Sequence, residues 1–211
     1  RKSTRTGASL MTGNIFAKGI AGSAQNAAFG RDRDYRILKT PRPRKVMIVG
    51  GGSGGMEYAL AAQAAGHDVT LYEQGRELGG AMNWAGNYKT LPNMEQIAYQ
   101  PQYHRRMIAK VGVAVRLGVE VTAELVMAEK PDVLVIATGA RPALPEAEGL
   151  GAALASGFAL TIDDVLQGAA LPDGPLALWG AGEGIELALD LAQQGRAVRL
   201  LDPMPKLLPA A

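Results

Sequence analysis

The chain has 211 residues, 22 Lys and Arg against 20 Asp and Glu for a net charge of +2, and no cysteine. That length admits one to two domains with an ample core, and the balanced charge points to neither nucleic acid nor a membrane surface as a general partner. Without thiols, disulfides, thiolate metal sites and cysteine nucleophiles are all excluded. No apolar run reaches the roughly 20 residues that a membrane span requires. A cytoplasmic location is the default expectation.

Residues 1 to about 30 are small, polar and glycine-rich, with no sustained period. Arg1-Lys2 and the Ala/Gly-rich stretch after it mimic a signal peptide only faintly, because Asn14 and Lys18 interrupt the apolar part. Arg31, Arg33, Arg36, Lys39, Arg42, Arg44 and Lys45 then crowd one segment against Asp32 and Asp34. A solvated connector accounts for such a run, and docking onto an acidic partner is the sharper alternative. Residues 1–44 are therefore read as a linker or docking segment.

The organising stretch comes next. Val46 to Val49 is an apolar strand that runs into Gly50-Gly51-Gly52-Ser53-Gly54-Gly55, and a helical stretch follows over Met56–Ala65. Gly50, Gly52 and Gly55 fit G-x-G-x-x-G. A second strand, Asp68–Tyr72, ends in Glu73, an acid about 20 positions past the glycines, as dinucleotide binding requires. Gly50 suits a tight turn, Gly52 a close approach by pyrophosphate, and Gly55 close packing of helix on strand. The amides at the helix start, with the positive end of its dipole, suit phosphate. Glu73 suits the hydroxyls of an adenosine ribose.

Leu78-Gly79-Gly80 is a second glycine turn just after that acid. It either brings backbone close to the nucleotide or simply turns the chain. Residues 81–92 read as loop. A helix is expected over Asn93–Val111, disturbed by Pro101, with His104, Arg105 and Arg106 on its wet face. Short strands are expected at Val113–Leu117 and Val119–Thr122, a helix at Ala123–Lys130, and a buried strand within Asp132–Ala137 that ends in Thr138-Gly139. Loop with one helix near Ile162–Gln167 fills the chain to about Gly174.

The pattern then repeats. Leu176 to Trp179 leads into Gly180-Ala181-Gly182-Glu183-Gly184, and Asp202 lies eighteen positions after Gly184, as Glu73 does after Gly55. The turn is one residue shorter, with four steps from Gly180 to Gly184 against five from Gly50 to Gly55. Gly180, Gly182, Gly184 and Asp202 thus form either an NAD(H) site or an empty structural copy. A carboxylate at 202 favours NAD over NADP. A doubly wound sheet needs more strands than follow, so a partner chain or a missing continuation is expected to complete it. The fold class is α/β, Rossmann-like, with a first dinucleotide-binding domain over 45–145 and the start of a second over 146–211.

The glycine turn, Glu73, Leu78-Gly79-Gly80 and Ala137-Thr138-Gly139-Ala140-Arg141-Pro142 together resemble the flavoproteins with two dinucleotide-binding domains. More narrowly, Gln25 to Asp32 and Tyr99 to Arg106 are similar to the C-terminal part of the trimethylamine dehydrogenase and 2,4-dienoyl-CoA reductase family. The resemblance implies FAD with its ADP half on Gly50, Gly52, Ser53, Gly54, Gly55 and Glu73. It sets Leu78, Gly79 and Gly80 near the pyrophosphate, Val121 beside the adenine, and Ala137, Thr138 and Gly139 further along the cofactor. It implies a barrel-type partner carrying FMN and the substrate site, with a methylated amine as one substrate class. It also implies an iron–sulfur cluster around residues 5–23, where thiolate ligands are absent, so no cluster is expected in this chain. No nucleophile–base pairing stands out, and neither a catalytic residue nor a metal ligand is assigned. Three readings follow: a flavin-binding subunit or fragment of an oxidoreductase, a non-catalytic ADP-binding structural subunit, and a self-contained NADH-dependent reductase.

Overall fold

The computed structural model describes residues 33–180 and 182–202, which divide into two units. The first comprises residues 33–83 and 96–140, and the second comprises 84–95 and 141–202. The segment read as a cluster region, most of the linker and the tail after Asp202 lie outside the described residues.

In the first unit, strands β1 (Lys45–Val49), β2 (Asp68–Glu73), β3 (Ala114–Leu117) and β4 (Val133–Ile136) form one sheet in the order β3-β2-β1-β4. Every pairing is parallel, from Lys45 opposite Asp68 to Val49 opposite both Tyr72 and Ile136. The central β1 is buried on both faces, which explains its unbroken apolar run. Helix α1 (Ser53–Ala64) connects β1 to β2, and helix α2 (Tyr99–Val111) precedes β3. Val46, Ile48, Met56, Ala59, Leu60, Val69, Leu71, Ile108 and Val113 close a core between the two helices and one sheet face. On the opposite face Lys45 Nζ meets Glu129 Oε2 at 2.8 Å at the end of helix α3 (Ala123–Glu129).

Several details differ from the sequence expectations. Helix α1 begins at Ser53, three residues early, and takes Gly54 and Gly55 into its first turn. Val119–Thr122 is not a strand. Gly118 turns the chain at φ +69°, and the Gly118 and Val119 amides donate to the Gly75 and Glu73 carbonyls. Thr122 then caps α3 by accepting from the Leu125 amide. Pro101 disturbs nothing: it sits in the first turn of α2, where a missing N–H costs no helical bond. The chain before it, Met94–Ala98, is a 3₁₀ turn. His104 is not on a wet face. It is 4% exposed, with Nδ1 3.0 Å from the Gln100 carbonyl and Nε2 2.9 Å from Glu57 Oε2, and so ties α2 to α1.

The second unit holds two further short helices, α4 (Leu150–Ala155) and α5 (Ile162–Leu166), of which only the second was expected. Strands β5 (Leu176–Trp179) and β6 (Val198–Leu201) pair in parallel, with helix α6 (Gly184–Gln193) between them in sequence. The segment 84–95 is fastened to α6 by one buried acid. Asp190 Oδ1 accepts from the Thr90 amide at 2.6 Å and from Thr90 Oγ1 at 2.8 Å, and Oδ2 accepts from Gln194 at 2.7 Å. Burial of Asp190 works against its charge, but backbone hydrogen bonds from Thr90, Lys89 and Leu91 and the Thr90 hydroxyl outweigh it and hold its pKa below the usual value. A carboxyl depressed on folding stabilises the native state above its unfolded pKa of about 3.9, and that contribution disappears as pH falls through the folded value. Asp190→Asn is therefore expected to lower the unfolding midpoint at pH 7. The gap to the unmodified protein should narrow below about pH 4, as urea titrations across that range would read.

Candidate nucleotide site

The site is built where β1 ends. Gly50 takes φ +107°, a left-handed conformation that L side chains rarely adopt, and its amide donates to the Tyr72 carbonyl at 2.8 Å. A methyl there would lie 2.2 Å from the Ala137 carbonyl oxygen, because the chain leaving β4 passes directly against the turn. A methyl on Gly55 would lie 1.9 Å from the Gly50 carbonyl oxygen, so helix and strand are in backbone contact. Gly52 and Gly54 are different. A methyl on either meets nothing within 4 Å, which leaves open space in front of the helix start.

That helix start is prepared for an anion. No side chain caps α1 and its first turn carries no acidic residue, so the amides of the first turn are left without intrahelical partners. Ser53 Oγ is buried at the same place with no hydrogen-bond partner. A hydroxyl left unpaired costs about 1–3 kcal/mol, and a phosphate oxygen would relieve it.

Glu73 holds the turn through both carboxylate oxygens. Its Oε2 accepts from the Gly51 amide and its Oε1 from the Gly75 amide, both at 2.7 Å. Carboxylate oxygens carry further lone pairs, so the turn is held while acceptor capacity remains for ribose hydroxyls. The second glycine turn lies against the first. The Gly79 amide donates to the Gly51 carbonyl at 2.8 Å, and a methyl on Gly80 would sit 3.0 Å from Gly52 Cα. The structure thus brings Gly50, Gly52, Ser53, Gly54, Gly55, Glu73, Leu78, Gly79, Gly80 and Ala137 together. Thr138 Cα would lie 3.1 Å from a methyl on Gly50, and Gly139 follows with φ +78° and open space around it. Val121 is half-buried two residues beyond Val119, whose amide binds the Glu73 carbonyl. Gly51, Asn83 and Arg105 also belong to the assembly and had no signature in the sequence.

The repeated glycine turn, Gly180 to Gly184, is in the other unit. Gly180 repeats Gly50 closely: φ is +100°, and its amide donates to the Leu201 carbonyl at 2.8 Å. Asp202 follows β6 as Glu73 ends β2. The tight contacts do not repeat. Among the described residues a methyl on Gly180 would meet nothing within 4 Å, and β5 pairs with β6 alone. A methyl on Gly184 would make only an ordinary 3.7 Å contact with Leu200. The start of α6 is also acidic, with Glu183 at its cap and Glu186 in its first turn. Burial pushes the Tyr88 hydroxyl's pKa up, and the neighbouring charges of Glu186 and Glu183 push it further.

Among the described residues no group of His, Asp and Glu could hold a metal ion, and no helix is long and apolar enough to cross a membrane.

A parallel sheet in the order 3-2-1-4, a glycine turn at its central strand and an acid ending the next strand define a Rossmann-type nucleotide-binding fold. The chain belongs to the pyridine nucleotide-disulphide oxidoreductase family, whose model matches residues 6–123 and 44–211. It is 32% identical over 194 residues to an NADH oxidase of Thermoanaerobacter brockii, covering 90% of this chain and 29% of that protein. It is 32% identical to the N,N-dimethylglycine/sarcosine dehydrogenase of Chromohalobacter salexigens, covering 84% of this chain and 26% of that one. Among solved structures, a 2-naphthoyl-CoA reductase complex superposes with a TM-score of 0.78 at 33% identity, covering 89% of this chain and 28% of the other. These matches support a flavin-oxidoreductase family with FAD or NAD(P) as its nucleotides. The chain spans under a third of each relative's length.

Proposed function

We propose that the first unit binds the ADP half of FAD and serves a flavin-dependent oxidoreductase of the trimethylamine dehydrogenase and 2,4-dienoyl-CoA reductase type. The observation that carries this is the buried, unpartnered Ser53 hydroxyl at an uncapped helix start, beside the open space over Gly52 and Gly54. Pyrophosphate oxygens would accept from the Ser53, Gly54 and Gly55 amides and from Ser53 Oγ. Glu73 would accept from the ribose hydroxyls, Gly79 and Gly80 would wall the pyrophosphate, and Val121 would flank the adenine. Ala137, Thr138 and Gly139 would border the cofactor further along. Bound flavin supplies the redox chemistry, and these residues supply position and electrostatics.

The substrate step belongs, in this reading, to a barrel-type FMN-binding chain or to a continuation of this one. A methylated amine is the substrate class that the sarcosine-oxidising relative supports. The carboxylates around the start of α6 favour an empty structural copy over an NAD(H) site at Gly180, Gly182, Gly184 and Asp202.

The deciding experiment is a visible absorption spectrum of the purified protein, followed by identification of what heat denaturation releases. FAD bands and released FAD are expected. Released ADP without a flavin band would make the nucleotide structural, and an empty protein that takes up neither would overturn the reading. Glu73→Ala tests the ribose role: nucleotide retention should fall, and stability with it by about 1–3 kcal/mol, because two amides lose a charged acceptor. Unchanged retention would remove Glu73 from that role.

A further inference from the structure

We propose that Arg105 is a positioning residue for the nucleotide site, acting through the Leu78–Gly79 peptide. This rests on the reading that the first unit binds an ADP moiety. Arg105 Nε donates to the Leu78 carbonyl at 2.8 Å, and the same guanidinium bonds Asn83 Oδ1 and lies 3.6 Å from Glu77. Asn83 Nδ2 donates to that same carbonyl at 3.2 Å and to Glu77 Oε1 at 3.1 Å. On the other side of the peptide, the Gly79 amide donates to the Gly51 carbonyl at 2.8 Å. One peptide group is therefore held at its oxygen by α2 and the 80–83 turn, and at its nitrogen by the phosphate-facing turn.

Nothing bulkier fits this clamp. A methyl on Gly79 would lie 1.9 Å from Asn83 Oδ1, and one on Gly80 would lie 3.0 Å from Gly52 Cα. The height of Gly79 and Gly80 over Gly52, and so the wall of the pyrophosphate space, is set by how Arg105 holds Leu78. The role needs a planar fork that reaches several acceptors at once, which a lysine ammonium cannot reproduce. Arg106 supplies a matched control one residue away. It is exposed, and among the described residues it bonds the Gln102 carbonyl of its own helix.

The test uses the full chain, stripped of bound nucleotide, with ADP and FAD as probes in titration calorimetry. Arg105→Ala and Arg105→Lys should each weaken binding roughly tenfold or more, the worth of one charge-assisted hydrogen bond, while Arg106→Ala binds normally. Added methylguanidinium should restore part of the affinity of Arg105→Ala. Amide exchange gives a nucleotide-free readout, in which Gly79 should lose protection in Arg105→Ala and keep it in Arg106→Ala. Normal binding by Arg105→Ala, or weakened binding that methylguanidinium leaves untouched while Gly79 stays protected, overturns the proposal. If the unmodified chain and Arg106→Ala bind neither probe, the nucleotide reading itself fails and the positioning role goes with it.

Discussion

Gly55→Ala should cost the first unit about 3 kcal/mol, at the upper end of what overpacking usually costs. The added methyl would stand 1.9 Å from the carbonyl oxygen of Gly50, and that neighbour is backbone, not the movable end of a side chain. Relief requires α1 to lift from β1. The lift would strain the packing of Met56, Ala59 and Leu60, which are buried against Val46 and Ile48. Protein interiors are packed too densely for such a shift to be absorbed locally. Scanning calorimetry should show the unfolding temperature reduced by roughly 10 °C, with or without nucleotide. A variant as stable as the unmodified protein would mean that the turn is looser than the structure shows.

Gly52→Ala should do the opposite, leaving the fold intact and emptying the site. Gly52 has extended backbone at φ −72° and ψ −175°, which alanine adopts freely, and its methyl would meet no protein atom within 4 Å. That space is where the pyrophosphate is proposed to lie. The methyl would therefore clash only with ligand, and affinity for ADP or FAD should fall roughly a hundredfold, equivalent to an overpacking cost of about 2–3 kcal/mol. The unfolding temperature without nucleotide should stay within a degree or so, as expected for a substitution touching nothing buried. Unchanged affinity would move the phosphate away from this turn. The pair of glycines separates what the turn does for the protein from what it does for a ligand, three residues apart.

Much of this assembly could be read from the chain, and the reason is locality. The first β–α–β unit, Glu73 at the end of its second strand, and the shadow of the same pattern at Gly180–Asp202 are all encoded within about 20–30 residues, the span over which periodicity and turn chemistry act. What could not be read depends on partners distant in sequence. His104 looks like a surface residue in Tyr103-His104-Arg105-Arg106 until Glu57, 47 positions earlier, comes beside it. Arg105 looks equally ordinary until α2 is laid against Leu78. Val119–Thr122 has strand-forming residues, but the turn at Gly118 and the capping of α3 by Thr122 take them out of the sheet. The acids at the start of α6 were visible as letters, yet their meaning came only with the helix boundary that puts Glu183 at the cap and Glu186 in the first turn.

The hydrogen bonds between Thr90 and Asp190 join residues 100 positions apart. On a ribosome adding about 5–20 residues per second, Thr90 emerges some 5–20 seconds ahead of its acceptor. In that interval β1 to β4 can all leave the ribosome and close their sheet, since the last of them ends at Ile136. Residues 84–95 must stay out of that sheet and wait. Their composition suits the delay: Pro92 breaks the segment, and Gly86, Asn87 and Asn93 favour turns over strand pairing. The order of synthesis thus bears on a stretch whose final neighbour is made 100 residues later.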